Sequence, residues 1–279
     1  MNRDFLLKII IITAGAVLFL LLFLADKTNL NNPDEAPATQ PTVTEAPAAV
    51  GSTPQRGLPP LDPDPALAAQ IERLEALPGD QKVALLDSVI RQLEEMGRYA
   101  FAADYARARV SLDSTYEHAL SAGVLSRRAM ELDYLQSDTA LVNRYSRMAV
   151  RMLEPVVQAQ PENEDALLSL GLAYTRSVAP MQGILTVRKV VELNPANLEA
   201  QYRLGEFSLQ TGQIDKAIER FETVLSLDER HYPAMFRLAI ALAQADRSEE
   251  AKPYLQRVIA EAENPALQEN ARDLLSQLN

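Results

Sequence analysis

From Pro161 onward the sequence repeats itself at a fixed interval. Pro161 and Pro195 are 34 apart; so are Gly171, Gly205 and Ala239, and again Gly183, Ala217 and Ala251. Large apolar residues keep the same register, with Leu170, Leu204 and Leu238 before the first small residue and Val187, Phe221 and Leu255 four places after the second. A short unit of this kind cannot bury its apolar face alone, so the chain must stack its units into an elongated array. Ala, Leu, Glu, Gln and Arg dominate after residue 65 and glycine is scarce, at 10 of 279 residues. All five have high helix propensity, so the units are expected to be helical and the fold class all-α.

Aligned on this period, Leu170-Gly171 with Tyr174 is followed by Gly183, Val187, Val190 and Pro195. Leu204-Gly205 with Ser208 is followed by Ala217, Phe221 and Val224, and Leu238-Ala239 with Leu242 by Ala251, Leu255 and Val258. The pattern resembles the tetratricopeptide repeat, a 34-residue helix–turn–helix carrying Leu-Gly-x₂-Tyr, then Ala-x₃-Phe, then Pro. The resemblance is clear over residues 164–263 and weaker over 66–160, and it implies a right-handed α-solenoid of paired helices. Its clearest repeats are 164–197, 198–231 and 232–265. Small residues let the two helices of a pair approach, and the bulky Val187, Phe221 and Leu255 fill the space toward the next pair. Pro195 stops a second helix, Thr211-Gly212 supplies a glycine terminus between helices, and Pro180 suits the first turn of one.

Upstream, 114–161 reads as a lengthened pair. Ala119, Ala122 and Gly123 take the small positions of its first helix, and Ala149, Leu153, Val156 and Pro161 match the second-helix pattern about 14 residues late. Splitting the excess predicts two extra turns in each helix, a bend near Leu135 to Asp138, and a kink at Pro155. Residues 80–111 read as a degenerate pair turning at Gly97. A short helix over 66–77 closes the amino-terminal end of the 66–279 domain. Asn264-Pro265 opens a capping helix over 265–278 whose polar face shields the last repeat.

Ahead of the repeats the composition changes twice. Residues 1–4 form a short tail. Residues 5–25 are apolar except for Lys8, and about 20 such residues span a bilayer core. The run ends Phe23-Leu24-Ala25-Asp26, without the small-x-small site of a cleaved signal, so an uncleaved signal-anchor is expected; a cleaved signal is the competing reading. Arg3 and Lys8 precede the span, and Lys27 is the only base after it before Arg56. The positive-inside rule then leaves the amino terminus in the cytoplasm and the repeats outside it, in the periplasm of a two-membrane bacterium. Residues 26–65 carry nine of the 17 prolines and no apolar periodicity, so they read as a disordered, semi-stiff linker reaching on the order of 100 Å when stretched. A recognition site for a proline-binding module is the sharper alternative.

Charge and residue inventory exclude several functions. Seven of the 38 acids and four of the 27 bases precede residue 66, so the repeat domain carries a net charge of −8 and is not expected to bind nucleic acid. The absence of cysteine rules out disulfides, thiolate metal sites and a cysteine nucleophile. The two histidines, His118 and His231, are not spaced as metal ligands, and no phosphate loop or nucleophile elbow occurs. No catalytic, cofactor-binding or metal-ligating residue is therefore expected.

The resemblance implies instead a concave groove lined by first helices. Its positions fall here on Leu168, Leu172 and Arg176; on Tyr202, Glu206 and Leu209; and on Phe236, Ile240 and Gln244. In the lengthened pair they fall on Leu120, Val124, Arg127 and Arg128. Such a groove suits an amphipathic helix or an extended apolar segment of another protein. Internal packing of the same residues is the competing reading. The family's carboxylate-clamp subtype needs Asn where this chain holds Val124, Leu172, Glu206 and Ile240, so a chaperone's acidic tail is not an expected ligand. The implied function is a membrane-anchored scaffold in envelope complex assembly, with a holdase-type chaperone for exported proteins, similar to the repeat subunits of cytochrome c maturation, as the alternative.

Overall fold

The computed structural model describes residues 65–132, 138–176 and 179–278, all within the second of the two units into which the chain divides, Ala49–Asn279. The expected tail, membrane span and nearly all of the linker (1–64) lie outside the described residues. Among those described, no helix is long and apolar enough to cross a membrane.

Twelve helices follow one another among the described residues, with no strand between them. They are α1 (Pro65–Arg73), α2 (Gly79–Glu95), α3 (Tyr99–Leu112), α4 (Tyr116–Met130), α5 (Thr139–Ala159) and α6 (Glu164–Thr175). After these come α7 (Pro180–Leu193), α8 (Leu198–Gln210), α9 (Ile214–Leu227), α10 (Tyr232–Gln244), α11 (Ser248–Glu261) and α12 (Pro265–Gln277). Consecutive helices pack on one another throughout, as a repeat array requires. The core accordingly forms three successive buried clusters along the stack rather than one centre.

Side-chain caps fix where the first helices begin. Asn163 and Asn197 accept from the amides of Ala166 and Ala200, each at 3.0 Å, and His231 Nδ1 accepts from Ala234 N at 3.1 Å. These caps fall at the repeat interval, so the period sets helix starts as well as helix contacts. Asn264 caps α12 in the same manner. The turns inside three pairs end on a residue with positive φ: Gly97 at 67°, Gly212 at 72° and Asp246 at 58°. The amide after each returns to the helix, as Arg98 N to Leu93 O, Gln213 N to Ser208 O and Arg247 N to Leu242 O.

The lengthened pair differs from its sequence reading. Its excess is not shared equally: α4 has 15 residues and α5 has 21, against 12 and 14 in the next pair. Asp138 explains the early start of α5, because its carboxylate accepts from the amides of Ala140 and Leu141 at 3.0 Å each. Leu141, Val142, Tyr145 and Met148 then extend the buried face of α5 back to that cap. Pro155 lies within a helix that continues to Ala159. At the far end, the register that receives a second helix in earlier repeats holds exposed Arg272 and Asp273 in α12, so the stack stops on a polar face.

Candidate protein-binding surface

Small residues set the spacing of each helix pair. A Cβ on Gly171 would meet Val187 at 2.7 Å, and one on Gly205 would meet the Phe221 ring at 2.7 Å. In the lengthened pair Gly123 lies against Leu153 in the same way. Close pairs of this kind present one face of each first helix to the inside of the stack.

A contact between distant repeats identifies that inner face. Arg203 on α8 donates to Glu131, the C-cap residue of α4, at 2.7 Å, although a whole helix pair (α6 and α7) intervenes in the chain. Residues two repeats apart can touch only on the inside of a curved stack. Arg203 also donates to Glu199 at 2.8 Å and to Glu206 at 3.2 Å. Arg127 donates to Glu131 at 2.9 Å, Arg237 reaches Glu206 at 3.3 Å, and Tyr202 Oη donates to Glu206 at 3.2 Å. Three arginines and three glutamates thus form one balanced network across α4, α8 and α10. Burial by itself would push the Arg203 pKa down; Glu199 and Glu131 outweigh it and raise the value, keeping the guanidinium charged. Burial, then the Glu206 charge, raises the Tyr202 pKa as well.

The expected groove residues divide into three groups. Leu168 and Leu172 are only 8% and 6% exposed and sit in the buried cluster with Val187, Val190 and Leu204. That stretch of the inner face is taken up by internal packing. Leu120, Val124, Tyr202, Leu209, Phe236 and Ile240 are half-buried, and Arg176 and Gln244 are exposed. The other charged members are held by neighbours: Glu206 and Arg127 belong to the network, while Arg128 lies 3.8 Å from Glu94 and 5.2 Å above the Tyr99 ring. Sequence reasoning missed Glu131, Glu199, Arg203 and Arg237. The spacing of Glu199, Arg203 and Glu206 at i, i+4 and i+7 is a readable helical signal for part of the network, but nothing local points from Arg203 to Glu131.

Neither histidine stands in a metal cluster. His231 is a helix cap whose ring lies 5.1 Å from that of Tyr202, and His118 Nδ1 lies 3.0 Å from the Asp113 carbonyl oxygen. Among the described residues no group of three His, Asp or Glu side chains is arranged to hold a metal ion.

Residues 184–277, about a third of the chain, match the family described as the cilia and flagella-associated protein 70 middle TPR-like domain. No match was found among curated proteins. Similar solved structures include TTC0263, a thermophilic TPR protein of Thermus thermophilus, at 17% identity and a TM-score of 0.53, covering 68% of this chain and 96% of that one. YrrB, a TPR protein with an unusual peptide-binding site, is 20% identical with a TM-score of 0.48, covering 75% and 98%. MamA is 19% identical with a TM-score of 0.48, covering 66% and 93%. The repeated helix pairs, the family match and the likeness to the Thermus protein agree: this chain has the fold of a tetratricopeptide repeat protein.

Proposed function

We propose that this chain is a non-catalytic scaffold that binds segments of other proteins along the inner face of α8 and α10, and that residues 5–25 hold it at a membrane with the repeats outside the cytoplasm. The observation that carries the reading is the composition of that face. Tyr202, Leu209, Phe236 and Ile240 are only half-buried, the first three resting on the core with part of their surface left free, and Arg237 and Gln244 lie on the same helices. Apolar side chains in line along a curved helical surface, flanked by a few charges, suit the apolar side of an amphipathic helix or an extended segment. The upstream stretch over Leu168 and Leu172 is already packed, so the partner segment is expected to engage the carboxy-terminal half.

Site-specific photocrosslinking in intact cells tests this, with the probe at Tyr202 or Phe236 and a control at the exposed Arg107 on α3. One dominant adduct from the inner positions alone supports an assembly scaffold and identifies its partner. A broad distribution of exported proteins supports the chaperone reading. Crosslinks confined to the chain itself would remove the binding surface from the proposal.

A further inference from the structure

The second helices expose an outer surface that changes character along the stack. In α9 and α11 the outward positions hold Asp215 and Glu219, then Glu249 and Pro253, all exposed. In the same register α7 holds Met181 and Leu185, which are 66% and 51% exposed. They lie one turn apart on one helix face, and the exposed Arg188 and Lys189 occupy the next turn. Large apolar side chains therefore stand where the neighbouring repeats place carboxylates or a proline, and two bases follow them.

A complementary feature lies further along the same surface. Between α9 and α11 an open cleft of about 330 Å³ has Leu225, Met235 and Tyr254 as its apolar lining, with Glu222, Glu229 and Arg257 around it. Arg257 lies 3.2 Å from Glu261, which offsets its charge, and the exposed Glu222 and Glu229 leave the rim acidic, with Arg247 near enough to Glu222 to feel its charge. The volume is at the low end for a small-molecule site and matches one or two inserted side chains.

We propose that the outer face of α7 docks into the α9–α11 cleft of a second copy of this chain, with Met181 and Leu185 filling the cleft and Arg188 and Lys189 meeting Glu222 and Glu229. The two surfaces complement each other in charge, and each carries exposed or half-buried apolar side chains. A contact between unlike patches joins copies head to tail or by mutual exchange. An anionic membrane fits the same face less well, because a flat surface laid against it would also meet Asp215, Glu219 and Glu249. A contact centred on two side chains falls below the roughly 1,200 Å² of a stable complex, so the association is concentration-dependent.

The chain has no cysteine, so introduced ones report alone. Full-length protein in mild detergent is mixed as two populations, one with Leu185→Cys and one with Leu225→Cys, and disulfide formation between copies is followed. The pair is expected to trap about tenfold faster than Leu185→Cys with a distant Glu95→Cys control. Met181→Asp, which installs the residue type found at the matching position of α9, removes the difference without disturbing the fold. Glu222→Lys with Glu229→Lys slows trapping, and adding Arg188→Glu with Lys189→Glu to the other copy restores it. Trapping no faster than the control, or no restoration by the double charge reversal, overturns the proposal. So does Met181-dependent binding to phosphatidylglycerol vesicles without trapping, which would assign the face to a lipid surface.

Discussion

The carbonyl oxygen of Gly171 would lie 2.5 Å from a Cβ placed on Gly183, so α6 and α7 cross backbone against backbone. The same Cβ would also lie 2.7 Å from the Thr175 amide nitrogen. Equivalent positions in the next two pairs hold Ala217 and Ala251, so only this crossing is drawn in to the glycine limit. Backbone cannot swing aside as a side chain can. Gly183→Ala is therefore expected to cost about 3 kcal/mol, the upper part of the overpacking range. Gly97→Ala, where a Cβ meets nothing within 4 Å but φ is 67°, should cost only the left-handed penalty of about 1–2 kcal/mol. Urea unfolding of both variants checks the order, and a Gly183→Ala cost at or below that of Gly97→Ala would contradict the crossing.

Arg203 and Glu131 offer a second test, this time of curvature. Truncating Arg203 to Ala leaves Glu199, Glu206 and Glu131 without their shared cation and is expected to destabilise the domain by about 2 kcal/mol. Glu131 is 36% exposed, so the direct coupling between the two should be smaller, about 0.5–1 kcal/mol after solvent screening. A double-mutant cycle with Glu131→Gln measures it. Zero coupling would mean that the inner faces of α4 and α8 do not meet in solution.

How much of this was legible in advance depended on the range of each interaction. Contacts within a pair and between neighbouring pairs recur with the repeat, so Leu170, Gly205, Phe221 and Val258 announced their roles through periodicity alone. The Glu131–Arg203 contact spans 72 residues and follows from accumulated superhelical curvature, for which one sequence holds no local signal. Leu168 and Leu172 show a different limit: they are buried in a cluster with Val187 and Val190 of their own pair and Leu204 of the next repeat. The register that puts a residue toward the groove does not tell it from one taken up by neighbouring helices. The early start of α5 was readable from Asp138 as a capping residue with apolar residues at helical spacing after it. Asp246 shows another limit, because it adopts the left-handed conformation one repeat after Gly212, and aspartate gives weaker notice of that than glycine.

His231 stands where earlier repeats place Asn163 and Asn197, and it caps α10 through Nδ1. His231→Ala should cost about 1 kcal/mol, the usual loss on removing a side-chain cap. His231→Asn should recover most of it, since asparagine at the two matching positions makes the same bond. Thermal unfolding of the pair separates capping from other roles. If Asn fails to improve on Ala, the Tyr202 ring contact matters more than the cap.

Helix α1 closes the amino-terminal end of the stack, with Leu67 and Leu74 fully buried in and just after it. Removing residues 1–64 keeps this closure, so unfolding free energy should change by less than about 0.5 kcal/mol. The same truncation is expected to move the protein from the membrane fraction to the soluble fraction, because it deletes 5–25. Retention at the membrane after truncation would assign the attachment to the repeats or to a partner.

Glu164 links two repeats, accepting from Asn197 Nδ2 at 2.8 Å and from Asn194 Nδ2 at 3.0 Å. These two bonds, Asn197 first, favour the carboxylate and lower its pKa below the usual 4.5. A lowered folded-state value means that the unfolded chain takes up the proton more readily. The stabilisation is therefore fully present above pH 4.5 and is lost as pH falls through the folded-state value. An NMR titration of the Glu164 side chain should show a midpoint below 4.5, and Asn197→Ala should shift it upward. Glu164→Gln should weaken the domain near neutral pH and have little effect once the native carboxyl is protonated. A midpoint unmoved by Asn197→Ala would mean that the asparagine does not hold the carboxylate at the junction between α6 and α8.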